Sequence, residues 1–256
     1  MTAILETVAA YVPGLAIRRR VSDPAPIKAP EKEEFQAAVL LADVSGFTRL
    51  TETLAQRGPE GAEEMTRALN AYFGQLIEII HAHGGDVAKF AGDAMLVVWP
   101  DVAQAGTPGE LTCRAAQCAL ALQREVGVSE TIPGAPLSLH CAIGAGEMAM
   151  AHIGGVYGRW EFVVTGTALV SMGGAAHLSK TGEVVLTPDA WALLRDRATG
   201  DELEEGCVRL TDVQTGFPPR PASDFVLPEE AGGSLRAFLP GAIRARLDAG
   251  QTGWLA

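Results

Sequence analysis

The chain has 256 residues, enough for one large domain with appendages, and 48% of them are hydrophobic, enough to bury a core. Its 31 acidic against 20 basic side chains give a net charge of −11, which excludes a non-specific nucleic-acid binder, because that needs a basic footprint. No stretch approaches the ~20 apolar residues of a membrane span, so no membrane-spanning partner role is expected.

Residues 1–20 read as a short apolar helix or arm that ends in Arg18, Arg19 and Arg20. These arginines follow the apolar start instead of preceding it, which does not fit a signal peptide. Together with four cysteines that form no Cys-x-x-Cys pair, this predicts a cytoplasmic chain with reduced core thiols. Residues 22–34 are Pro-rich and charged and read as a linker. The expected organisation is an arm and linker over 1–34, a domain over 35–214, and a loose Pro/Gly-rich segment with a helical linker over 215–256.

The run FQAAVLLADV, residues 35–44, suits a strand buried on both faces. A helix follows, with Pro59 in its first turn and Met65, Leu69, Tyr72, Phe73, Leu76, Ile77 and Ile80 on one apolar face. Gly84 and Gly85 stop it. Two short strands, DVAKF and AMLVVW, come next, joined by a tight hairpin at Ala91-Gly92-Asp93. A second helix covers about 109–127. LSLHCAIGAG and EMAMAHIGG suggest a further pair of strands, and Arg159–Thr165 another. A small-residue helix is expected at about 167–179, strands at 183–187 and 206–211, and a helix over 234–248 broken at Pro240-Gly241. The order of elements predicts an α+β fold with a ferredoxin-like split βαβ core and added strands and helices.

Two segments carry chemistry: Asp43-Val44-Ser45-Gly46-Phe47-Thr48 at the end of the buried strand, and Lys89-Phe90-Ala91-Gly92-Asp93 in the hairpin. An aspartate at a strand end and another on a neighbouring hairpin can converge. Two close carboxylates repel unless a cation neutralises them. Oxygen-only ligands fit magnesium or manganese, with substrate phosphates and waters completing the shell. The Ser45-Gly46 turn then offers backbone N–H groups to phosphate. Taken singly, each aspartate has a plainer reading, as a helix cap or a turn residue. His81 and His83 lack further ligands and read as surface histidines. Phe47, Phe73, Phe90 and Trp99 read as core.

The strings LADVSGFTRLTE, HGGDVAKFAGDAMLVVW and GRWEFVVTGTAL resemble the class III adenylyl and guanylyl cyclases over roughly residues 35–190. The resemblance is nearest to the first half of the soluble, bicarbonate-responsive adenylyl cyclases and their bacterial relatives. It implies attack of a ribose 3′-hydroxyl on the α-phosphate of ATP, giving cyclic AMP and pyrophosphate, a phosphorus–oxygen lyase reaction. It also implies two Mg2+ or Mn2+ ions held by Asp43 and Asp93 with the Val44 carbonyl, and phosphate contacts from the amides of Ser45, Gly46, Phe47 and Thr48. No catalytic residue beyond the metal ligands is implied. Lys89 would face a second, pseudo-symmetric site.

In that family the site lies between two cyclase domains. Aligned on Gly166, the base-reading, asparagine and arginine positions of the complementary half fall at Val163, Val170 and Gly174, and none can do the work. Ala142 stands where a basic phosphate-contacting residue is usual, and Gly173 where the bicarbonate-responsive relatives carry arginine. The expected partners are therefore ATP and a second cyclase-like domain, in another chain or a homodimer, with adenylyl preferred to guanylyl chemistry and little activity alone. A competing reading is a catalytically degenerate module that binds nucleotide or metal, or only dimerises, and regulates something else. A third, a diguanylate cyclase, shares a related core. Its Gly-Gly-Asp hairpin is here Ala-Gly-Asp-Ala without the following acidic residue, and the DVSGFT turn fits class III better.

Overall fold

The computed structural model describes residues 2–102, 106–129, 132, 134–218, 220–221 and 226–251. In chain order its elements are α1 (Thr2–Ala9), α2 (Gly14–Ser22), β1 (Glu31–Ser45), α3 (Phe47–Ala55), α4 (Pro59–Ala82), β2 (Asp86–Ala91) and β3 (Ala94–Pro100). Then come α5 (Pro108–Glu125), β4 (Val128–Ser129), β5 (Leu137–Gly154), β6 (Trp160–Gly166), α6 (Thr167–Leu178), β7 (Val184–Leu186) and α7 (Pro188–Ala192). The last are β8 (Ala198–Glu202), β9 (Val208–Val213), α8 (Ala231–Arg236) and α9 (Gly241–Asp248). The chain divides into two compact units, one of residues 35–148 and 166–222, the other of residues 1–34, 149–165 and 223–256. Residues 219, 222–225 and 252–256, within the expected loose segment and C-terminal flank, lie outside the described residues.

The larger unit is built on a mixed sheet in the order β2-β3-β1-β5-β7-β9-β8, with β4 on β5. β1 and β3 run antiparallel, whereas β5 and β7 run parallel. The stretch β2-β3-β1-β5, with α3 and α4 connecting β1 to β2 and α5 preceding β5, is the expected split βαβ core. Helices α4 and α5 pack on it. Tyr72, Leu76 and Ile80 of α4 and Leu111, Cys118 and Leu122 of α5 meet Leu40, Met95, Val97 and Leu139 of the strands in one apolar core. All four cysteines are free and buried.

Local chemistry explains the helix ends. Thr107 caps α5 through a reciprocal box, its hydroxyl accepting from the Glu110 amide while the Glu110 carboxylate accepts from the Thr107 amide at 2.8 Å. At the far end of α4 the Trp99 indole donates to the His83 carbonyl at 2.9 Å.

Three expectations are corrected. The stretch read as two strands is the single strand β5. Its Gly-Ala-Gly run makes no turn, because glycine serves another purpose there: a Cβ on Gly144 would lie 2.4 Å from the Ala168 carbonyl oxygen at the start of α6. A helix, α3, occupies residues read only as a phosphate turn and its continuation, burying Leu50 and Leu54 four residues apart. Phe90 is 49% exposed instead of core. A bulge between Val87 and Lys89 breaks the alternation of β2, which lies at the edge of the sheet, and Phe90 only meets Phe73 edge-on at 5.9 Å.

The smaller unit gathers three separated segments. Val8, Val12, Ala16 and Ile17 from the N-terminal helices pack with Ala231, Leu235, Leu239 and Leu247 from the C-terminal ones. Beside them lies a buried ionic cluster. Arg20, fully buried, donates to the Glu31 carboxylate at 2.5 Å, and Arg19 stands 3.4 Å from the same carboxylate. His152, nearly fully buried, has Nδ1 3.7 Å from it, and packs against the rings of Phe162 and Phe238.

Candidate active site

Strand β1 lies between β3 and β5, and its residues Ala38–Leu40 are fully buried, so the apolar run has neighbours on both sides. Where it emerges, the side chain of Asp43 is 34% exposed, Val44 is buried and Ser45 half-buried. The next residue, Gly46, takes φ 97°, and a Cβ on it would lie 2.3 Å from the Pro136 carbonyl oxygen. Both facts demand glycine. The turn it makes starts α3, so Phe47 and Thr48 occupy the first helical turn, where backbone N–H groups have no partner within the helix.

Strands β2 and β3 are joined by the two residues Gly92 and Asp93 between the paired Ala91 and Ala94. Gly92 has φ 68°, and Asp93 does not share it, which fits a two-residue hairpin turn with glycine first. In the register of β1 with β3, Asp43 stands opposite Ala94. Asp93, half-buried, is therefore one residue from the rung that carries Asp43. Paired strands lie ~4.8 Å apart, so the pairing brings together two acidic positions that are distant in sequence. Lys89 is exposed, opposite Leu96, which in turn pairs with Leu41.

One residue at this place carries no role in the sequence reading. His140 on β5 puts its Nε2 3.2 Å from Oδ2 of Asp43, and its side chain is 18% exposed. The available signal was a histidine between the buried Leu139 and Cys141 of a largely apolar strand. Burial pushes the neighbouring Cys141 thiol up to about 12, and the charge of Asp43 adds to the rise. A hydrogen-bonding contact from Gln123 pulls the other way. That thiol is inert at neutral pH.

The candidate donors here are the carboxylates of Asp43 and Asp93 and the backbone carbonyl of Val44. Among the described residues no three side chains of the His, Cys, Asp and Glu types are grouped to hold a metal by themselves. Such a set suits a hard divalent cation that draws the rest of its oxygens from phosphate and water. The positions aligned with the complementary half carry no polar side chain: Val163 is half-buried in β6, Val170 on α6 is 77% exposed, and Gly174 is exposed. Ala142 is buried. Among the described residues, no helix is long and apolar enough to cross a membrane.

The chain is 30% identical to adenylate cyclase type 10 of Oryctolagus cuniculus and 28% identical to that of Homo sapiens, each over 188 residues, or 73% of the chain. It spans only 11% of the length of either relative. No family model matches it. Among solved structures it is similar to the adenylyl cyclase CyaB from P. aeruginosa, with a TM-score of 0.57, 21% identity, and coverage of 73% of this chain and 99% of that one. The guanylyl cyclase Cya2 gives a TM-score of 0.58 at 22% identity, covering 76% and 100%. At these identities the structural likeness establishes the fold.

Proposed function

We propose, on the premise that this chain is a class III nucleotide cyclase homology domain, that it is the metal-binding half of a cyclase, converting ATP to cyclic AMP and pyrophosphate when a complementary domain completes the site. The observation that carries this reading is the β1–β3 register, which sets Asp43 opposite Ala94 and hence beside the Asp93 turn. Asp43 and Asp93, with the Val44 carbonyl, would hold two Mg2+ or Mn2+ ions. Divalent cations in such a site lower the pKa of an attacking hydroxyl and neutralise a triphosphate and its leaving group. The amides of Ser45, Gly46, Phe47 and Thr48 would bind and orient phosphate, helped by the start of α3. Lys89, exposed on β2, is assigned to the pseudo-symmetric site and not to the reacting atoms.

The complementary groups are missing: valine at 163 and 170 cannot hydrogen-bond, and glycine at 174 brings no charge to a transition state. The purified chain alone should therefore make no cyclic AMP from Mn-ATP, and should do so when mixed with a complementary cyclase domain. Activity of the chain alone would sink the need for a partner.

Ala142, in place of a phosphate-contacting base, favours a second reading, a degenerate module that regulates through nucleotide or metal binding or through pairing alone. Titrating Mn2+ and ATP against wild type and Asp43→Ala separates the cases. A module that only pairs predicts no difference between the two proteins, and a ligand-binding module binds without ever yielding product in any mixture.

A further inference from the structure

Within the larger unit β1 and β5 are neighbouring strands, and the Asp43–His140 contact bridges them. Both side chains are partly sheltered, so the contact is less screened than one on open surface. Along β5 the residues alternate between buried and half-buried from Leu137 to Cys141, and His140 falls on the same side as Ser138, away from the core residues Leu139 and Cys141. The side of β5 that carries Ser138 and His140 is half-buried, so core packing does not demand an imidazole there.

We propose that His140 is a positioning residue for the candidate cation site, its Nε2–H holding Oδ2 of Asp43 so that the carboxylate is presented to a divalent ion in one orientation. The inference rests on the reading of Asp43 and Asp93 as the metal-binding pair. Its physical basis is twofold. A carboxylate already in contact with the ring at 3.2 Å loses less rotamer freedom when it binds a cation. The N–H dipole also offsets part of the repulsion between two carboxylates brought together across the ladder. Ligating carboxylates commonly have such hydrogen-bond partners, and removing one typically lowers metal affinity ~10–100-fold.

The test measures Mn2+ binding to the purified chain, without nucleotide, from the electron paramagnetic resonance signal of the free ion. His140→Ala should weaken binding by ~10-fold or more. His140→Gln, whose amide N–H can reach the place of Nε2–H, should recover most of it, and Asp43→Ala should abolish it. Circular dichroism reports whether each variant folds. Binding by His140→Ala within about twofold of wild type, with Asp43→Ala inactive, overturns the role of His140 and leaves the metal reading standing. A Gln variant as weak as the Ala variant also overturns it, since packing and not the N–H would then matter. Electron spin-echo spectra of the bound ion should lack modulation from a coordinated imidazole nitrogen, and strong modulation would make His140 a ligand instead. Wild-type binding by Asp43→Ala, or no measurable Mn2+ binding by wild type, overturns the metal reading and the role of His140 together.

Discussion

The Trp99 indole N–H donates to the backbone carbonyl of His83 and so ties the end of α4 to the strand that follows the Asp93 turn. Trp99 is among the largest fully buried side chains, and the bond it makes to the half-buried His83 is partly sheltered. Trp99→Phe removes the donor, leaves the carbonyl unsatisfied and opens a small void. A loss of about 2–3 kcal/mol is expected, read as a lower urea midpoint with an unchanged m-value.

Gly46 is the second structural test. Its φ of 97° and the nearby Pro136 carbonyl both oppose a side chain. Gly46→Ala should destabilise the chain by about 1–3 kcal/mol. On the proposed reading of the amides of residues 45–48 as phosphate contacts, it should also weaken ATP binding, because the turn that places them must shift. Gly174→Ala is the control, since a Cβ there meets nothing within 4 Å.

Restoring the missing chemistry is a gain-of-function test. Val170 is largely exposed and Gly174 has open space around it, so neither site resists a longer side chain. Val170→Asn with Gly174→Arg should leave the melting temperature within a few degrees. In a homodimer the second copy would then supply both groups, and cyclic AMP formation from Mn-ATP should rise above the wild-type background. An unchanged background at full dimer occupancy counts against the assignment of these positions.

The pH response follows from His152. Burial, with help from Arg20, brings its pKa down to about 4, against the opposing effect of Glu31. The unfolded chain binds the proton near pH 6.5, where the folded chain does not. The contribution is therefore complete above about pH 6.5 and is lost as pH falls from there towards 4, by at most about 3 kcal/mol. His152→Leu should flatten the dependence of the urea midpoint on pH between 4 and 6.5.

Much of the frame around the candidate site was legible because its signals are local. The apolar run before Asp43 and the Ala-Gly-Asp turn mark a buried strand and a hairpin, and both occur. What escaped depends on contacts remote in sequence. His140 gains meaning only when β5 lies beside β1. The continuity of β5 past Gly144-Ala145-Gly146 shows only once the approach of Ala168 to Gly144 is seen. Phe90 reads as core because a one-residue bulge leaves no mark in composition. The gathering of residues 1–34, 149–165 and 223–256 is likewise invisible to periodicity, which shows that a face is apolar but not which segment covers it.

The β1–β3 ladder has a consequence for engineering. Hydrogen-bonded register, and not the length of the intervening chain, sets the separation of residues 43 and 93. The excursion through α3 and α4 can therefore accept foreign sequence at the exposed turn of Gln56, Arg57 and Gly58. A ligand-responsive insert there would reach the acidic pair only by straining the ends of α3, which makes that turn a place to install an external control.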